Sequence, residues 1–265
     1  MSNPILKTLE NVILKAGKVV NRDYGELENL QVSKKGPGNF VTSADLKVEK
    51  IIITELQRAY PQYSILSEEA GLIQGTGNKF QFILDPIDGT TNFMHGLPFF
   101  CITCSLVEII GGKKQVQLAI TYAPILNEMY IAERGSGATC NGRKLQVSSR
   151  DNIEESLFAC YIAKSNQEFR SQDLKAITEV KVNSRIYGSA ALELAFIASG
   201  KLDGMWHNHL KVWDFAAGTL LVTEARGMVS EINGGSNYLE SGSIIAGNRG
   251  VFEELRNRVS KSFGS

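Results

Sequence analysis

The fold of this chain is decided by the stretch Phe82-Ile83-Leu84-Asp85-Pro86-Ile87-Asp88-Gly89-Thr90-Thr91-Asn92-Phe93. Its apolar first residues predict a buried strand, and Gly89 followed by two threonines predicts a sharp turn into a helix. Asp85 and Asp88 would therefore converge at the carboxyl end of the strand, beside the carbonyl of Ile87. Such hard oxygen ligands suit Mg²⁺, and the amides of Gly89 and Thr90 at a helix start suit a phosphate.

Asp85 and Asp88 could instead be ordinary turn and cap residues, as aspartates beside proline and glycine often are. Two further acidic segments favour the metal site. They are Ser67-Glu68-Glu69-Ala70-Gly71, which ends the preceding predicted strand, and Val212-Trp213-Asp214-Phe215-Ala216-Ala217-Gly218, which opens an apolar helix. Each segment alone is ambiguous, because acidic residues in loops are usually solvated and an aspartate at a helix start usually caps it.

The two halves of the chain carry different patterns. The first half begins with a helix capped at Asn3-Pro4, continues through a glycine-rich and proline-rich segment, and has a second helix capped at Thr42 or Ser43. Consecutive strand patterns with tight turns then predict an antiparallel sheet. From about Ser156, strands and helices alternate, which predicts an α/β arrangement. We therefore expect an N-terminal lobe over residues 1–148 and a C-terminal lobe over residues 149–265.

Composition excludes several classes of protein. The 265 residues are 43% hydrophobic and 21% charged, and 28 Lys and Arg balance 28 Asp and Glu, so no global positive field would collect nucleic acid non-specifically. The chain has no apolar run of the ~20 residues that span a bilayer and no apolar signal core, and its four cysteines do not form a disulfide-scaffold pattern. We expect a cytoplasmic protein that does not bind membranes.

Three common site motifs are not supported. The chain has no Gly-x-x-x-x-Gly-Lys-Ser/Thr loop, and the glycines near Gly135 lead into another turn-rich segment rather than a helix, so no nucleotide-binding loop is predicted. Cys101 and Cys104 have the Cys-x-x-Cys spacing of zinc and redox sites. They fall in a predicted strand, however, where residues three apart point to opposite faces.

The acidic motifs together resemble those of the inositol monophosphatase family, which comprises Mg²⁺-dependent, lithium-sensitive phosphatases. The resemblance covers nearly the whole chain, because it also includes residues 41–45, 140–142 and 188–191. It implies a layered αβαβα sandwich of the α/β (α+β) class, with an antiparallel-rich N-terminal lobe and an α/β C-terminal lobe. It also implies a homodimer.

The resemblance implies two to three Mg²⁺ ions and their ligands. Glu68, Asp85 and the Ile87 carbonyl would bind one ion, and Asp85, Asp88 and Asp214 would bind a second. Glu68 would also contribute to a weaker third ion.

The resemblance further implies hydrolysis by in-line attack of a metal-activated water. Thr90, hydrogen-bonded towards Asp45, would orient or deprotonate this water, with Glu68 beside it. The amides of Gly89 and Thr90 would hold the phosphate. Either Lys34 or Lys35, on a loop that we expect to be mobile between Gln31 and Phe40, would approach the outer metal shell.

The substrate side departs from the family pattern at one position. By resemblance, Gly188, Ser189 and Ala190 would lie against the alcohol part of the substrate, and Asp214 would border it. His207 stands where the family has a glutamate that binds substrate hydroxyls. A neutral imidazole offers one donor and one acceptor, whereas a carboxylate accepts from two hydroxyls, so we expect altered polyol recognition.

Several functions remain open from the sequence. The first is hydrolysis of myo-inositol 1-phosphate or a related small polyol or sugar phosphate, and related branches of the family act on fructose 1,6-bisphosphate or 3′-phosphoadenosine 5′-phosphate. Within the family the chain looks most like the bacterial SuhB-type extragenic suppressor proteins, which are associated with transcription antitermination and ribosomal RNA synthesis. Such a role would use a protein partner, such as an antitermination factor or RNA polymerase, rather than direct nucleic-acid binding.

Overall fold

The computed structural model of the chain describes residues 3–27, 32–36, 39–163 and 166–263, and only the backbone of residues 32–36 and 39–40. The helices are α1 (Pro4–Tyr24), α2 (Ser43–Ala59), α3 (Thr90–Met94), α4 (Gln167–Val180), α5 (Ala190–Ala198), α6 (Val212–Glu224), α7 (Tyr238–Ser241) and α8 (Phe252–Phe263). The strands of the first half are β1 (Val32–Gly36), β2 (Asn39–Thr42), β3 (Ser64–Ser67), β4 (Gly71–Ile73), β5 (Phe80–Asp88), β6 (Cys101–Ile110), β7 (Lys113–Ala123), β8 (Glu128–Glu133), β9 (Gly137–Cys140) and β10 (Arg143–Lys144). Those of the second half are β11 (Leu157–Cys160), β12 (Asn183–Arg185), β13 (Gly204–His207), β14 (Met228–Ser230) and β15 (Ile244–Gly247).

Two large sheets organise the described residues into five layers, and β1 and β2 form a separate two-stranded sheet. The N-terminal sheet has the strand order β10-β9-β8-β7-β6-β5-β3-β4, and the C-terminal sheet has the order β12-β11-β13-β15-β14. Helices α1 and α2 cover the outer face of the N-terminal sheet, α5 and α6 pack between the two sheets, and α4 and α8 cover the outer face of the C-terminal sheet. This arrangement confirms the predicted αβαβα sandwich.

The N-terminal sheet is antiparallel except for the parallel pair of β3 and β5. The C-terminal sheet is mixed, because β11 pairs parallel with β12 and β13, whereas β15 pairs antiparallel with β13 and β14. The two sheets separate along the chain between Lys144 and Leu157. The lobe boundary at residues 148 and 149 stays a prediction.

The outer helices form where the sequence predicted them. Asn3 caps α1 by accepting the amide of Ile5 at 3.0 Å, and Pro4 occupies the first turn, where its missing N–H costs nothing. Thr42 caps α2 in a reciprocal capping box with Asp45. Both helices bury their apolar faces against the N-terminal sheet.

The inner helices α5 and α6 are predominantly apolar, and both contact the two sheets. They pack so closely that Gly218 could not carry a side chain: a Cβ there would lie 2.5 Å from the Cβ of Leu194. Non-bonded carbon atoms in a normally packed interior do not approach each other this closely. The glycine therefore sets the spacing of the central layer.

The segment between Gln31 and Phe40 corrects one expectation. We predicted a loop there, but β1 and β2 pair antiparallel, with Val32 opposite Thr42 and Ser33 opposite Val41. The backbone ladder forms although the segment is rich in glycine and proline, because residues 32–34, which pair with residues 40–42, include neither. Gln31, Pro37 and Gly38 lie outside the described residues.

Membrane insertion was not expected from the sequence. Of the helices within the described ranges, none has the length and apolar composition needed to span a bilayer.

Candidate active site

An irregularity in β5 brings two acidic side chains together. Asp85 pairs with Thr103 and Asp88 pairs with Cys101, so β5 has one more residue than β6 across this interval. In a regular strand, residues three apart point to opposite faces, and an extra residue changes that alternation. The amide of Ile87 donates to Asp85 Oδ1 at 3.0 Å, which fixes the local turn. The bulge thus directs Asp85 and Asp88 towards one side of the sheet.

The third acid comes from α6, in the helical layer between the two sheets. Asp214 lies in the first turn of α6, where the backbone amide of Lys211 donates to its Oδ2 at 2.9 Å. One carboxylate oxygen from each of Asp85, Asp88 and Asp214 lies within 4.8 Å of the others. We call these three residues the acid cluster. It forms because α6 packs against β5.

Without a bound cation, the ionised forms of the three acids in the cluster are energetically unfavourable. Burial raises the pKa of Asp85 well above its usual range, and the charges of Glu68, Asp88 and Asp214 raise it further. Burial also raises the pKa of Asp88 to about 7, and burial together with Asp88 raises that of Asp214. Two carboxylates 4 Å apart repel by about 4 kcal/mol at an effective dielectric constant of 20. A cation among the three would remove this repulsion.

Asp88 is held by the start of α5. Its Oδ2 accepts the hydroxyl of Ser189 and the amide of Ala191, both at 2.7 Å. Gly89 follows in the left-handed region with φ of 96°, where a side chain would press against Phe99 and Ser189. The glycine and the α5 contacts together fix the turn that the sequence predicted.

Thr90 and Asp45 are brought together as the resemblance implied. The Thr90 hydroxyl lies 3.0 Å from the Ile87 carbonyl and 3.2 Å from Asp45 Oδ1, so its single proton can be donated to either oxygen. Asp45 is fully buried and accepts the backbone amide of Thr42 at 2.8 Å. Burial raises the pKa of Asp45 to about 6, although the bonds from Thr42 oppose the shift. Above that pH the ionised carboxylate accepts a hydrogen bond from the Thr90 hydroxyl.

Glu68 follows β3 and lies close enough to the acid cluster for its charge to raise the pKa of Asp85 and Asp214. Its loop is held by Glu49, a buried residue on α2 that is not among the site residues predicted from the sequence. Glu49 Oε1 accepts the hydroxyl of Ser67 and the amides of Glu69 at 3.1 Å and Ala70 at 3.0 Å. The signal was present, because Glu49 follows Asp45 by one helical turn on a face that is otherwise apolar.

A cavity of about 370 Å³ opens beside the acid cluster. Asp88 and Asp214 line it, and so do the candidate substrate residues Gly89, Thr90, Gly188, Ser189, Ala190 and His207. Tyr161 also lines it and stacks on the His207 ring, with the ring centroids 5.5 Å apart. Tyr161 is not recognisable as a site residue from the sequence, because a lone tyrosine after a strand carries no distinctive pattern.

His207 has an acidic partner that sequence alone did not reveal. Its Nε2 lies 2.6 Å from Oε2 of Glu193 on α5, and both side chains are buried. A single charged residue in the apolar helix 190–198 indicates a buried charge that needs a partner. The identity of that partner depends on how α5 packs against β13.

Lys34 and Lys35 are on β1 by their backbone, and their side chains lie outside what the structure describes. Their predicted approach to the outer metal shell stays a prediction.

The sequence pattern of the inositol monophosphatase family matches residues 1–263. The chain belongs to the inositol monophosphatase family. An inositol-1-monophosphatase of Mesorhizobium japonicum is 39% identical over 260 residues, which cover 97% of this chain and 96% of that protein. The Nus factor SuhB of Escherichia coli is 36% identical over 256 residues, which cover 96% of this chain and 94% of that protein.

A solved structure is also similar to this member of the inositol monophosphatase family. The extragenic suppressor protein SuhB of Bartonella henselae matches it with a TM-score of 0.92 and 40% identity, covering 98% of this chain and 99% of the other. These findings confirm the resemblance drawn from the acidic motifs. They also confirm the predicted class of enzyme, a phosphoric monoester hydrolase.

The donor set of this inositol monophosphatase family member fits a metal ion. Three carboxylates converge, their ionised forms are disfavoured without a counter-charge, and the Ile87 carbonyl is next to them in the chain. Oxygen donors of this type are those that hard divalent cations prefer.

Proposed function

We propose that this protein is a Mg²⁺-dependent phosphatase that hydrolyses myo-inositol 1-phosphate, or a related small polyol or sugar phosphate, to the free alcohol and inorganic phosphate. The observation that carries the proposal is the acid cluster at the wall of a cavity of about 370 Å³. A cavity of this size admits a small phosphate ester.

In this proposal, Glu68, Asp85 and the Ile87 carbonyl hold one Mg²⁺, and Asp85, Asp88 and Asp214 hold a second. Glu68 contributes to a weaker third. The convergence of these acids and their raised pKa values support the assignment. When bound, Mg²⁺ would supply charge neutralisation at the phosphate and would acidify a water molecule.

The chain itself then supplies orientation and a route for a proton. Ionised Asp45 accepts the hydrogen of the Thr90 hydroxyl, which leaves the Thr90 oxygen free to accept a hydrogen bond from the attacking water. The amides of Gly89 and Thr90 bind the phosphate, and either Lys34 or Lys35 approaches from outside. The walls formed by Gly188, Ser189 and Ala190 receive the alcohol part.

The test is phosphate release from myo-inositol 1-phosphate with and without Mg²⁺. Wild type should depend on Mg²⁺, and Asp214→Asn should lose the activity, whereas the exposed Asp151→Asn serves as a matched control and should keep it. Unchanged Mg²⁺-dependent release by Asp214→Asn would refute the assignment.

The physiological ester is decided by a substrate panel. The panel includes fructose 1,6-bisphosphate and 3′-phosphoadenosine 5′-phosphate, which are the alternative substrates within the family. His207→Glu belongs in the same experiment, because a carboxylate at this position accepts from two hydroxyls. A preference that this substitution moves towards inositol phosphate would indicate that the wild-type protein has diverged in its substrate.

A second candidate function is a SuhB-like role in transcription antitermination or ribosomal RNA maturation, in which binding matters more than catalysis. Its support is the 36% identity to a protein named Nus factor SuhB over nearly the whole chain. The balanced net charge favours a protein partner, such as an antitermination factor or RNA polymerase, over direct nucleic-acid binding. Affinity capture on wild type and Asp85→Asn tests this role, which fails if neither retains a transcription component.

The proposal also includes a homodimer, a cytoplasmic location and two lobes that meet between residues 148 and 149. Light scattering of the purified protein tests the dimer. Fractionation of cells that express the protein tests the location, and limited proteolysis near residues 148–152 tests the lobe boundary.

A further inference from the structure

Glu193 and His207 form a buried hydrogen-bonded pair in the wall of the substrate cavity. Glu193 comes from α5, one turn after the residues that hold Asp88, and His207 ends β13. The carboxylate is 0% exposed and the imidazole residue 3% exposed. Neither residue has a role in the chemistry proposed at the acid cluster.

The pair leaves one hydrogen-bonding atom unpaired on each side. His207 Nε2 is used by Glu193, whereas His207 Nδ1 and Glu193 Oε1 are buried and have no hydrogen-bond partner within the described part of the chain. An imidazole has two nitrogens, so Nδ1 is the ring atom that remains for a ligand. Buried polar atoms without partners cost free energy, and a ligand that pairs with one removes that cost.

The two residues have different access to the cavity. His207 lines it, and Glu193 does not. Glu193 therefore contacts a ligand in the cavity only through the ring. The ring is held on two sides, by the bond to Glu193 at its edge and by the stacked Tyr161 at its face, so its orientation is defined before a ligand arrives.

The composition of the cavity indicates which part of a substrate reaches the ring. Among the described residues that line it there is no Lys or Arg, so a phosphate has no cationic side chain to bind beside His207. The phosphate belongs at the acid cluster with its metal ions. The remaining wall, with Tyr161, Ile186 and Leu210, is left for the alcohol part.

We propose that Glu193 is a positioning residue for substrate selection: it orients the His207 ring so that Nδ1 forms one hydrogen bond with a hydroxyl group on the alcohol part of the phosphomonoester. The proposal rests on the phosphatase function proposed above. A hydroxyl can donate to Nδ1 or accept from it, so the contact forms whichever nitrogen carries the proton. The pair therefore selects esters whose alcohol part carries a free hydroxyl within reach of His207 Nδ1. Only this one nitrogen contacts the substrate, so only one hydroxyl is recognised.

The experiment compares two substrates that differ in this feature. Myo-inositol 1-phosphate carries free hydroxyls on its alcohol part, and phenyl phosphate carries none. The values of kcat and KM are measured with Mg²⁺ for wild type, Glu193→Gln, His207→Phe and the double variant. The exposed Glu253→Gln is the matched control for a change of Glu to Gln.

We expect Glu193→Gln to raise KM for myo-inositol 1-phosphate about tenfold relative to KM for phenyl phosphate, because an uncharged amide holds the imidazole more weakly than a carboxylate and the hydrogen bond from the less firmly oriented Nδ1 to the hydroxyl is largely lost. In the His207→Phe background, Glu193→Gln should cause no further change in this ratio, because Glu193 acts through the ring. The proposal would be overturned if Glu193→Gln raised KM equally for both substrates. It would also be overturned if the effects of Glu193→Gln and His207→Phe on the KM ratio were fully additive in the double variant. Absence of Mg²⁺-dependent phosphate release from either substrate by wild type would remove the proposed function, and this inference with it.

Nuclear magnetic resonance of the whole wild-type chain keeps the proposal testable if a variant fails to fold. The ¹⁵N resonance of His207 Nδ1 should move when myo-inositol is added to protein that already contains Mg²⁺ and inorganic phosphate. Inorganic phosphate and Mg²⁺ alone should not produce the same movement. A resonance that does not respond to saturating myo-inositol would overturn the role of the ring.

Discussion

Asp85 and Asp203 are two nearly inaccessible aspartates in opposite surroundings, at 2% and 1% exposure. Asp203 begins the turn into β13, and four donors surround it: the hydroxyl of Ser148, the guanidinium of Arg150 at 3.1 Å, the amide of Leu157 at 2.8 Å and the side chain of Asn248 at 3.2 Å. Its charge is satisfied within the protein. It ties the segment between the two sheets to the C-terminal sheet.

Asp85 lacks comparable support. It accepts the amide of Ile87, and the nearest charges that act on it are those of Glu68, Asp88, Asp214 and Asp45, which all raise its pKa. Burial alone therefore does not distinguish a structural carboxylate from a functional one. The difference lies in whether the surrounding groups are donors or other acids, and the second arrangement is stable only with a cation or with protons.

The largest expected effect is on activity, in Asp85→Asn. Phosphate release should fall about a thousandfold, since a bound metal supplies several kcal/mol of transition-state stabilisation. Without metal, the melting temperature should stay the same or rise, because the substitution removes a repelling charge. Steady-state kinetics and calorimetry in EDTA measure the two effects. A variant whose melting temperature falls in EDTA would contradict the view that the charge of Asp85 is unfavourable in the metal-free protein.

The second effect is on stability, in Asp203→Asn. The substitution replaces one carboxylate oxygen by an NH₂ group, which cannot accept the hydrogen bonds that the surrounding donors offer. The free energy of unfolding should therefore fall by about 3 kcal/mol. The melting temperature should fall by roughly 10 °C in a chain of this size. Activity per folded molecule should remain at the wild-type level. Equal loss of activity in both aspartate variants would remove the distinction between the two regions.

A smaller effect is expected from Glu49→Gln, which tests whether the Glu68 loop is preorganised. The substitution keeps the shape and weakens three charge-assisted hydrogen bonds to the loop. Mg²⁺ affinity should fall about tenfold, as for partners that orient metal ligands, with kcat at saturating Mg²⁺ near the wild-type value. Calorimetric Mg²⁺ titration measures it, with Glu253→Gln as control. Unchanged affinity would show that the loop does not need Glu49.

The smallest effect is the pH dependence of stability. The folded pKa of Asp45 is about 6 and that of Asp88 about 7, whereas an unfolded aspartate has a pKa of about 4. Between pH 4 and 7 the folded protein therefore binds more protons than the unfolded chain. Their contribution to stability is complete below pH 4 and is lost as pH rises through 6 and 7.

Thermal unfolding in EDTA at several pH values measures this decline. Mg²⁺ should raise the melting temperature by several degrees more at pH 7.5 than at pH 5, because the ion replaces protons that have left the acids. A metal effect that is the same at both values would mean that the acids are not the groups the ion binds.

The part of the site between Phe82 and Phe93 was predictable because its residues are close together in sequence. The apolar run before Asp85 predicted the strand, and the Gly89 turn predicted the short helix that follows. The acidic segment with Asp214 favoured a metal site, but its assignment as a ligand beside Asp85 and Asp88 came only from the family resemblance, since it is distant in the chain. The pairing of β1 with β2 was not predicted, because the sequence Gly36-Pro37-Gly38 is typical of a loop.

The sequence by itself determined the fold class, the family and the acids of the cluster, because these depend on local periodicity and on short motifs. Only the tertiary structure decided how each acid is supported. The donors around Asp203, the three bonds that Glu49 makes and the pairing of Glu193 with His207 all join separate elements. Whether a buried charge is satisfied depends on neighbours that the chain brings together only when its layers pack, and no local pattern encodes them.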